Sequence, residues 1–366
     1  MATARASLQT ARRVVVKVGS RALSGDPTLP ANLIAQIAES SRAADSTERR
    51  FVLVSSGAIA LGCERLGYTA RPKEMSKLQA AAAAGQSVLM RRYEEACAEN
   101  GMIPAQVLLT HADLADRERL NNARNALGEL LEADALPIVN ENDTVSTDEI
   151  RFGDNDQLSA MVVPLVGAEV LILLTDVSGV LDATGQRLSE LPADFIVQDH
   201  GSSSGVGSGG IMSKVDSARK ASRSGAWVVI ASAAEPRVIS RLLAGEDVGT
   251  LVHPVEGVLR ARQHWIAYTL KPRGTVVIDA GAAKALRAGK SSLLPVGVVG
   301  VRGQFNAGDA VSIVDAEGTE VGRGLARLGG LDVARAARQK SAALELLFGS
   351  VGRDLVVVHR DDLVLA

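Results

Sequence analysis

Val14-Val15-Val16-Lys17-Val18-Gly19-Ser20 is a run of valines interrupted by one lysine and closed by a Gly-Ser pair. Valine is stiff at χ1 and packs well on a pleated surface, and the lack of polar alternation before Lys17 is the pattern of a strand buried on both faces. The same design recurs along the chain. Runs rich in Val, Ile and Leu stand at 51–54, 103–109, 136–139, 170–174 and 227–230. Between them lie helix-length stretches at 32–44, 76–100, 116–133 and 155–166. In the second of these Ser76 reads as an N-cap and Gly101 as the stop. Such alternation predicts an α/β fold, a three-layer α/β/α sandwich with a mainly parallel sheet, over residues 1–258.

The pattern changes beyond 258. Residues 259–273 read as a connector. From 274 to 366 the segments shorten, with expected strands at 276–278, 296–301, 310–314, 321–326 and 355–359 and small helices at 282–288 and 331–338. This predicts a second, small β-rich barrel domain of about 90 residues, an ordinary size for a small domain. No repeat at a solenoid period is visible, and the one low-complexity stretch is 201–210.

Composition excludes several classes. Hydrophobic residues make up 46% of the 366 but aromatic ones only 3%, so the cores must be aliphatic. A net charge of -2 argues against a nucleic-acid protein or a polybasic membrane binder. The two cysteines, Cys63 and Cys97, have no CxxC spacing, which excludes a disulfide scaffold and points to a reducing, cytoplasmic setting. The five histidines show no zinc-ligand spacing. The longest apolar runs are strand-sized, so no membrane span is expected. The first 13 residues hold three arginines and no acid, but a strand follows at once, so a transit peptide is not expected.

Four segments that follow strands carry the chemistry, at the place where open α/β sheets bind ligands. Lys17-Val18-Gly19-Ser20 can offer one cation and several backbone N–H groups to a polyphosphate. Ser55-Ser56-Gly57-Ala58-Ile59 lets a ligand approach a helix N-terminus, although neither GxxxxGK[ST] nor GxGxxG is present. Asn140-Glu141-Asn142-Asp143-Thr144 followed by Gly153-Asp154-Asn155-Asp156 holds more amides and carboxylates than turn chemistry requires. It suits recognition of an amino and a carboxyl group, with an acid left over to orient lysines. Thr175-Asp176-Val177-Ser178-Gly179 pairs with the glycine loop Gly207-Ser208-Gly209-Gly210-Ile211-Met212-Ser213-Lys214, which opens a helix near Ile211 and forms an anion site. A flexible linker is the competing reading of that loop.

In this order and spacing the segments resemble the amino acid kinase family, and within it the members that phosphorylate L-glutamate at the start of proline synthesis. The resemblance rests on VVVKVGS (14–20), SSGAIALG (55–62), LLTHADLADRERLNNAR (108–124), PIVNENDTVSTDEIRFGDNDQLSA (137–160), LLTDVSGV (173–180) and GVGSGGIMSK (205–214). HPVEGVLRARQHWI (253–266) and GKSSLLPVGVVGVRGQF (289–305) extend it over nearly the whole chain. The C-terminal part resembles a PUA domain, a small β-barrel known mainly from RNA-modifying enzymes. The resemblance implies that Lys17, Lys214 and Asp156 are catalytic, the lysines on the transferring phosphoryl group and Asp156 holding both. It implies that Ser56, Asp143 and Asn155 bind glutamate. Lys17, Thr175, Asp176, Ser208, Gly209, Gly210, Ile211, Met212, Ser213 and Lys214 would bind ATP. Two departures stand out. The family's Gly-Leu-Tyr-Thr-Ala-Asp-Pro run is here Gly179-Val180-Leu181-Asp182-Ala183-Thr184-Gly185 and is followed by a shortened segment, and Ser208, Ile211 and Ser213 depart from its glycine-loop pattern.

The chemistry needs no general base, because a side-chain carboxylate with a pKa near ~4.3 is already ionised at neutral pH. It needs charge compensation, which two lysines, backbone N–H groups and Mg²⁺ held through the phosphates and water can supply. No protein ligands to the metal are expected. The resemblance further implies feedback inhibition by proline at a site overlapping that of glutamate; residues 116–122 are expected to help form it, and substitution of Glu141 or Asn142 tests the overlap. It also implies a glutamyl-phosphate reductase acting next and a homo-oligomer. Other acid or nucleotide kinases of the same fold are the nearest alternative, and an RNA-directed protein is the more distant one. Residues 274–366 hold 11 Lys+Arg against 10 Asp+Glu, a net of +1, which is a poor footprint for nucleic acid.

Overall fold

The computed structural model describes residues 4–42, 48–146, 155–196, 210–255, 258–289 and 291–366. The chain forms two compact units, Met1–Val258 and Leu259–Ala366.

The first unit contains strands β1 (Arg13–Val18), β2 (Arg50–Ser55), β3 (Ile103–Leu109), β4 (Ala135–Glu141), β5 (Val170–Thr175), β6 (Trp227–Ser232) and β7 (Thr250–Val252). They make one sheet in the order β3-β4-β2-β1-β5-β6-β7. All neighbours are parallel except β6 and β7. The main helices are α1 (Leu29–Arg42), α2 (Ala58–Arg65), α3 (Met75–Glu99), α4 (Arg117–Glu132), α5 (Asn155–Val166), α6 (Ile211–Ser222) and α7 (Val238–Leu243). Alternate strand residues face opposite sides. Val14, Val16, Val18, Leu53, Ile138, Ile172 and Val229 form one core with Leu33, Ile37, Leu89, Tyr93 and Leu242 of α1, α3 and α7. The other face, with Val15, Val52, Val54, Leu171 and Leu173 buried, is covered by α5, flanked by α4 and α6. Both faces are therefore dry over the central strands, which is why those strands read as continuous apolar runs; edge strand β3 is only partly buried, with Ile103 exposed.

Burial decides where α3 begins. Glu74, in extended conformation, stands at the N-cap, and Ser76 lies inside the first turn. Met75 packs against the Ile59, Leu78 and Ala82 cluster, so the helix starts one residue before the hydroxyl that reads as its cap. Helices α2 and α3 cross with their backbones touching. A Cβ on Gly62 would meet Ala81 O at 1.7 Å, and one on Gly85 would meet Ala58 O at 1.8 Å. Only glycine permits that approach. It fixes α2, and with it the turn at Ser56-Gly57, where Gly57 has φ +100.

The second unit has strands β8 (Gly274–Ile278), β9 (Val298–Gly303), β10 (Ala310–Val314), β11 (Glu320–Ala326) and β12 (Val358–Leu365). They form a five-stranded sheet ordered β12-β11-β10-β8-β9, parallel only between β8 and β10. Helices α8 (Ala280–Arg287), α9 (Gly330–Ala336) and α10 (Ser341–Phe348) complete it around an aliphatic core with Phe305 at its margin. Residues 261–269 are helical and group with this unit. The last strand starts later than 355 because 349–354 form a 3-10 turn.

Candidate active site

The chain leaves β1 for β2 on one side and later returns to β5 on the other, so a crevice opens at the C-terminal ends of these strands. Lys17 is the penultimate residue of β1, paired in register with Val54 and Leu173, and it belongs to the face that α5 covers. Asp156 lies in the first turn of α5, where a carboxylate faces the positive end of the helix dipole. Lys214 lies in the first turn of α6. Lys17 Nζ pairs with Asp156 Oδ1, and Lys214 Nζ donates to Asp156 Oδ2 at 3.0 Å. Asp156 is fully buried, and the two lysines are 3% and 8% exposed. A buried trio of two ammoniums and one carboxylate carries a net positive charge of its own in a low-dielectric place, which suits a receptor for polyanions.

Asn155, one residue earlier, is buried beside the trio. Its Nδ2 donates to Ser55 O at 2.5 Å and Asn140 Oδ1 at 2.7 Å, and to Ser56 Oγ at 3.1 Å. Asn140 Oδ1 also accepts the Glu141 N–H at 2.9 Å, while Asn140 Nδ2 donates to Gln86 Oε1 at 2.8 Å. Ser55 Oγ is 2.9 Å from the Tyr93 hydroxyl, which anchors the end of β2 in the core. Asn142 and Asp143 are half-buried in the turn that follows β4.

At the end of β5, Thr175 is buried and donates to Asp176 Oδ1 at 3.0 Å, and Arg21 Nη1 reaches Asp176 Oδ2 at 3.2 Å. Burial pushes the Asp176 carboxyl upward. Hydrogen bonds from Thr175 and the backbone, with the Arg21 guanidinium, outweigh it and hold the group below the usual carboxylate range. Gly210 and Met212 are exposed, and Ile211 and Ser213 are half-buried on the first turn of α6. Ser208 and Gly209, like Gly153 and Asp154, lie outside the described residues. The unusual 179–185 segment is an ordered hairpin turn: Asp182 N donates to Gln186 O at 2.8 Å, and Gly185 has φ +80. Cys63 and Cys97 are buried, and burial pushes the Cys97 thiol up to about 11, so neither is poised as a nucleophile.

Residues 12–232 match the model of the amino acid kinase family, and 274–346 match the PUA domain. The chain belongs to the amino acid kinase family. Its relatives include three proteins named glutamate 5-kinase. That of Chromohalobacter salexigens is 46% identical over 99% of this chain and 98% of its own. Those of Pseudomonas putida and Ralstonia nicotianae are each 45% identical over 99% of this kinase and, respectively, 100% and 99% of their own chains. A solved isopentenyl phosphate kinase aligns with 66% of this chain at 17% identity and a TM-score of 0.44, too loose to carry weight.

The geometry also involves residues that the motifs did not single out. Gln86 stands in an Ala-Gly-rich helix run and reads as a packing position. Its signal is the spacing to Gln79, seven residues earlier on the same helix face, which donates to Ser146 O at 3.3 Å. Arg21 is a second case, since a residue four beyond Lys17 reads as an ordinary surface cation.

Proposed function

We propose that this kinase transfers the γ-phosphoryl group of ATP to the side-chain carboxylate of L-glutamate, giving L-glutamyl 5-phosphate, the first step of proline synthesis. The observation that carries this reading is Asp156, a fully buried carboxylate between two buried ammoniums, next in sequence to an asparagine committed to the Ser55–Ser56 turn. Names of full-length relatives support the substrate.

In this reading Asp156 holds Lys17 and Lys214 at a fixed separation, so that both ammoniums meet the phosphoryl oxygens without reorganising. Ser56, Asp143 and Asn155 hold the glutamate, with its ionised side chain aimed at the phosphorus. Thr175, Asp176 and residues 208–214 hold the nucleotide, the N–H groups at the start of α6 facing its phosphates. Asp156 is already paired with the lysines and Asp176 with Thr175 and Arg21, which suits a Mg²⁺ carried on the phosphates and water. When bound, Mg²⁺ neutralises phosphate charge.

The test is hydroxamate formation from purified protein with ATP, Mg²⁺ and hydroxylamine, with and without L-glutamate. Glutamate-dependent hydroxamate is expected, since hydroxylamine traps an acyl phosphate. Signal only with another acid would move the substrate, and silence with every acid would refute the kinase reading. We extend the proposal to proline as an inhibitor at an overlapping site that includes 116–122, Glu141 and Asn142. Substitution of Asn142 that leaves activity and proline sensitivity unchanged would remove that site. The remaining parts of the proposal are a kinase domain at 1–258, a connector at 259–273, a PUA-like domain at 274–366, a cytoplasmic homo-oligomer, and a glutamyl-phosphate reductase that consumes the product. With a net charge of +1, the C-terminal domain acts in packing or assembly, and salt-sensitive RNA binding by the full chain would overturn that.

A further inference from the structure

The hydrogen bonds from Gln86 through Asn140 to Asn155 form a chain of three side-chain amides whose polarity is set by main-chain groups. An amide can be placed either way round, so its orientation must be read from its partners. Here Ser55 O can only accept, which obliges Asn155 to present Nδ2. The Glu141 N–H can only donate, which obliges Asn140 to present Oδ1 to it and to Asn155. Asn140 Nδ2 must then find an acceptor on its other side, and Gln86 Oε1 is that acceptor at 2.8 Å. Asn155 Nδ2 has two hydrogens for three acceptors. Ser55 O and Asn140 Oδ1 are the nearer ones, so Ser56 Oγ at 3.1 Å is held most loosely and can turn its hydroxyl to a substrate.

Gln86 is held in turn by its helix. Gly85, beside it, presses α3 against the backbone of Ala58, two residues beyond Ser56. Gln79 holds Ser146 from the same helix face, so α3 grips both ends of the 140–146 segment. Gln86 Nε2 is buried with no partner among the described residues, a penalty that a purely apolar packing residue would avoid.

We propose that Gln86 is a positioning residue for the acid substrate: through Asn140 it fixes the orientation of Asn155 and frees the Ser56 hydroxyl to face the substrate carboxyl. This rests on the glutamate reading above. Gln86→Met keeps the volume and removes the acceptor. The expected result is a KM for L-glutamate raised about tenfold, with kcat and the KM for ATP within about twofold of wild type. In an Asn140→Ala background the same substitution should add less than about twofold, because its effect passes through Asn140. Fold-changes that simply multiply would overturn the proposal, as would an unchanged KM. Hydrogen exchange of the unliganded full chain is the second measurement, and it needs no turnover. Gln86→Met should speed exchange at 140–146, and unchanged exchange there would overturn the positioning role. Wild-type protein that makes no hydroxamate with glutamate would refute the substrate reading, while exchange would still decide on Gln86.

Discussion

Replacing Asp156 by asparagine keeps the shape of the site and removes the buried negative charge between the two lysines. At 3.0 Å from Lys214, that charge contributes a gross attraction of about 5 kcal/mol at an effective dielectric near ~20. Lys17 adds a second contact. Much of this offsets the cost of burying the ions, so the gross figure is not the loss. Removing one partner of a buried pair costs about 3–5 kcal/mol, because the other charge is left stranded. Here one carboxylate serves two ammoniums, 3% and 8% exposed, which puts the expected loss at the upper end. A unit of this size shifts by ~2–4 °C per kcal/mol, so a loss of about 5 kcal/mol should lower the unfolding transition of the 1–258 unit by ~10–20 °C. Calorimetry of the full chain reads this, with the second unit as internal reference. Hydroxamate formation at a temperature where the variant is folded should fall by orders of magnitude as well. A transition within about 2 °C of wild type would refute the account of Asp156 as the charge that keeps both lysines in place.

Lys214→Ala should lower kcat by ~10²–10³, the scale for one lost electrostatic contact to a transition state. It should cost less stability than Asp156→Asn, since Asp156 keeps Lys17; near-normal turnover would sink the role. Gly85→Ala should destabilise the first unit by more than the ~1–3 kcal/mol typical of overpacking, because the added Cβ meets backbone at 1.8 Å rather than a movable side chain, and urea unfolding checks this. Asp247 is held below the usual carboxylate range, first by the hydrogen bond from Arg187, against burial, with Ser189, Arg187 and Arg5 adding to it. A depressed pKa gives stability that is complete above the unfolded value near ~3.9 and is lost as pH falls through the folded one. Asp247→Asn should therefore flatten the acid limb of the stability curve below about pH 4, and an unchanged limb would count against the pairing.

Much of this molecule is legible in local pattern. Val14 to Val18 reads as a strand dry on both faces because its valines run without polar alternation up to Lys17, and the covering helices are implied by it. Asp116 as the N-cap of α4, accepting from the Arg119 N–H at 2.9 Å, and Gly101 closing α3 with φ +65 follow from chemistry within a few residues. The NEND and GDND segments declare a polar crevice by carrying more amides and acids than turns need. The start of α3 did not follow from its hydroxyl, because the packing of Met75 against Ile59 and Leu78 outweighs a cap that no side chain makes.

Sequence by itself therefore determined the layered α/β class, the aliphatic cores and the segments that bear polar chemistry, since each is encoded in the burial period of a single element. Tertiary structure alone decided which of those residues meet. Lys17 and Lys214 stand 197 positions apart and share one carboxylate only because β1 and β5 are neighbours and α5 and α6 cover the same face. Gln86 enters the site because Gly62 and Gly85 let two helices touch backbone to backbone. The antiparallel β7 joins the sheet at its edge on three residues. Each depends on contacts between distant segments, and no local periodicity records the partner that a buried polar group will find.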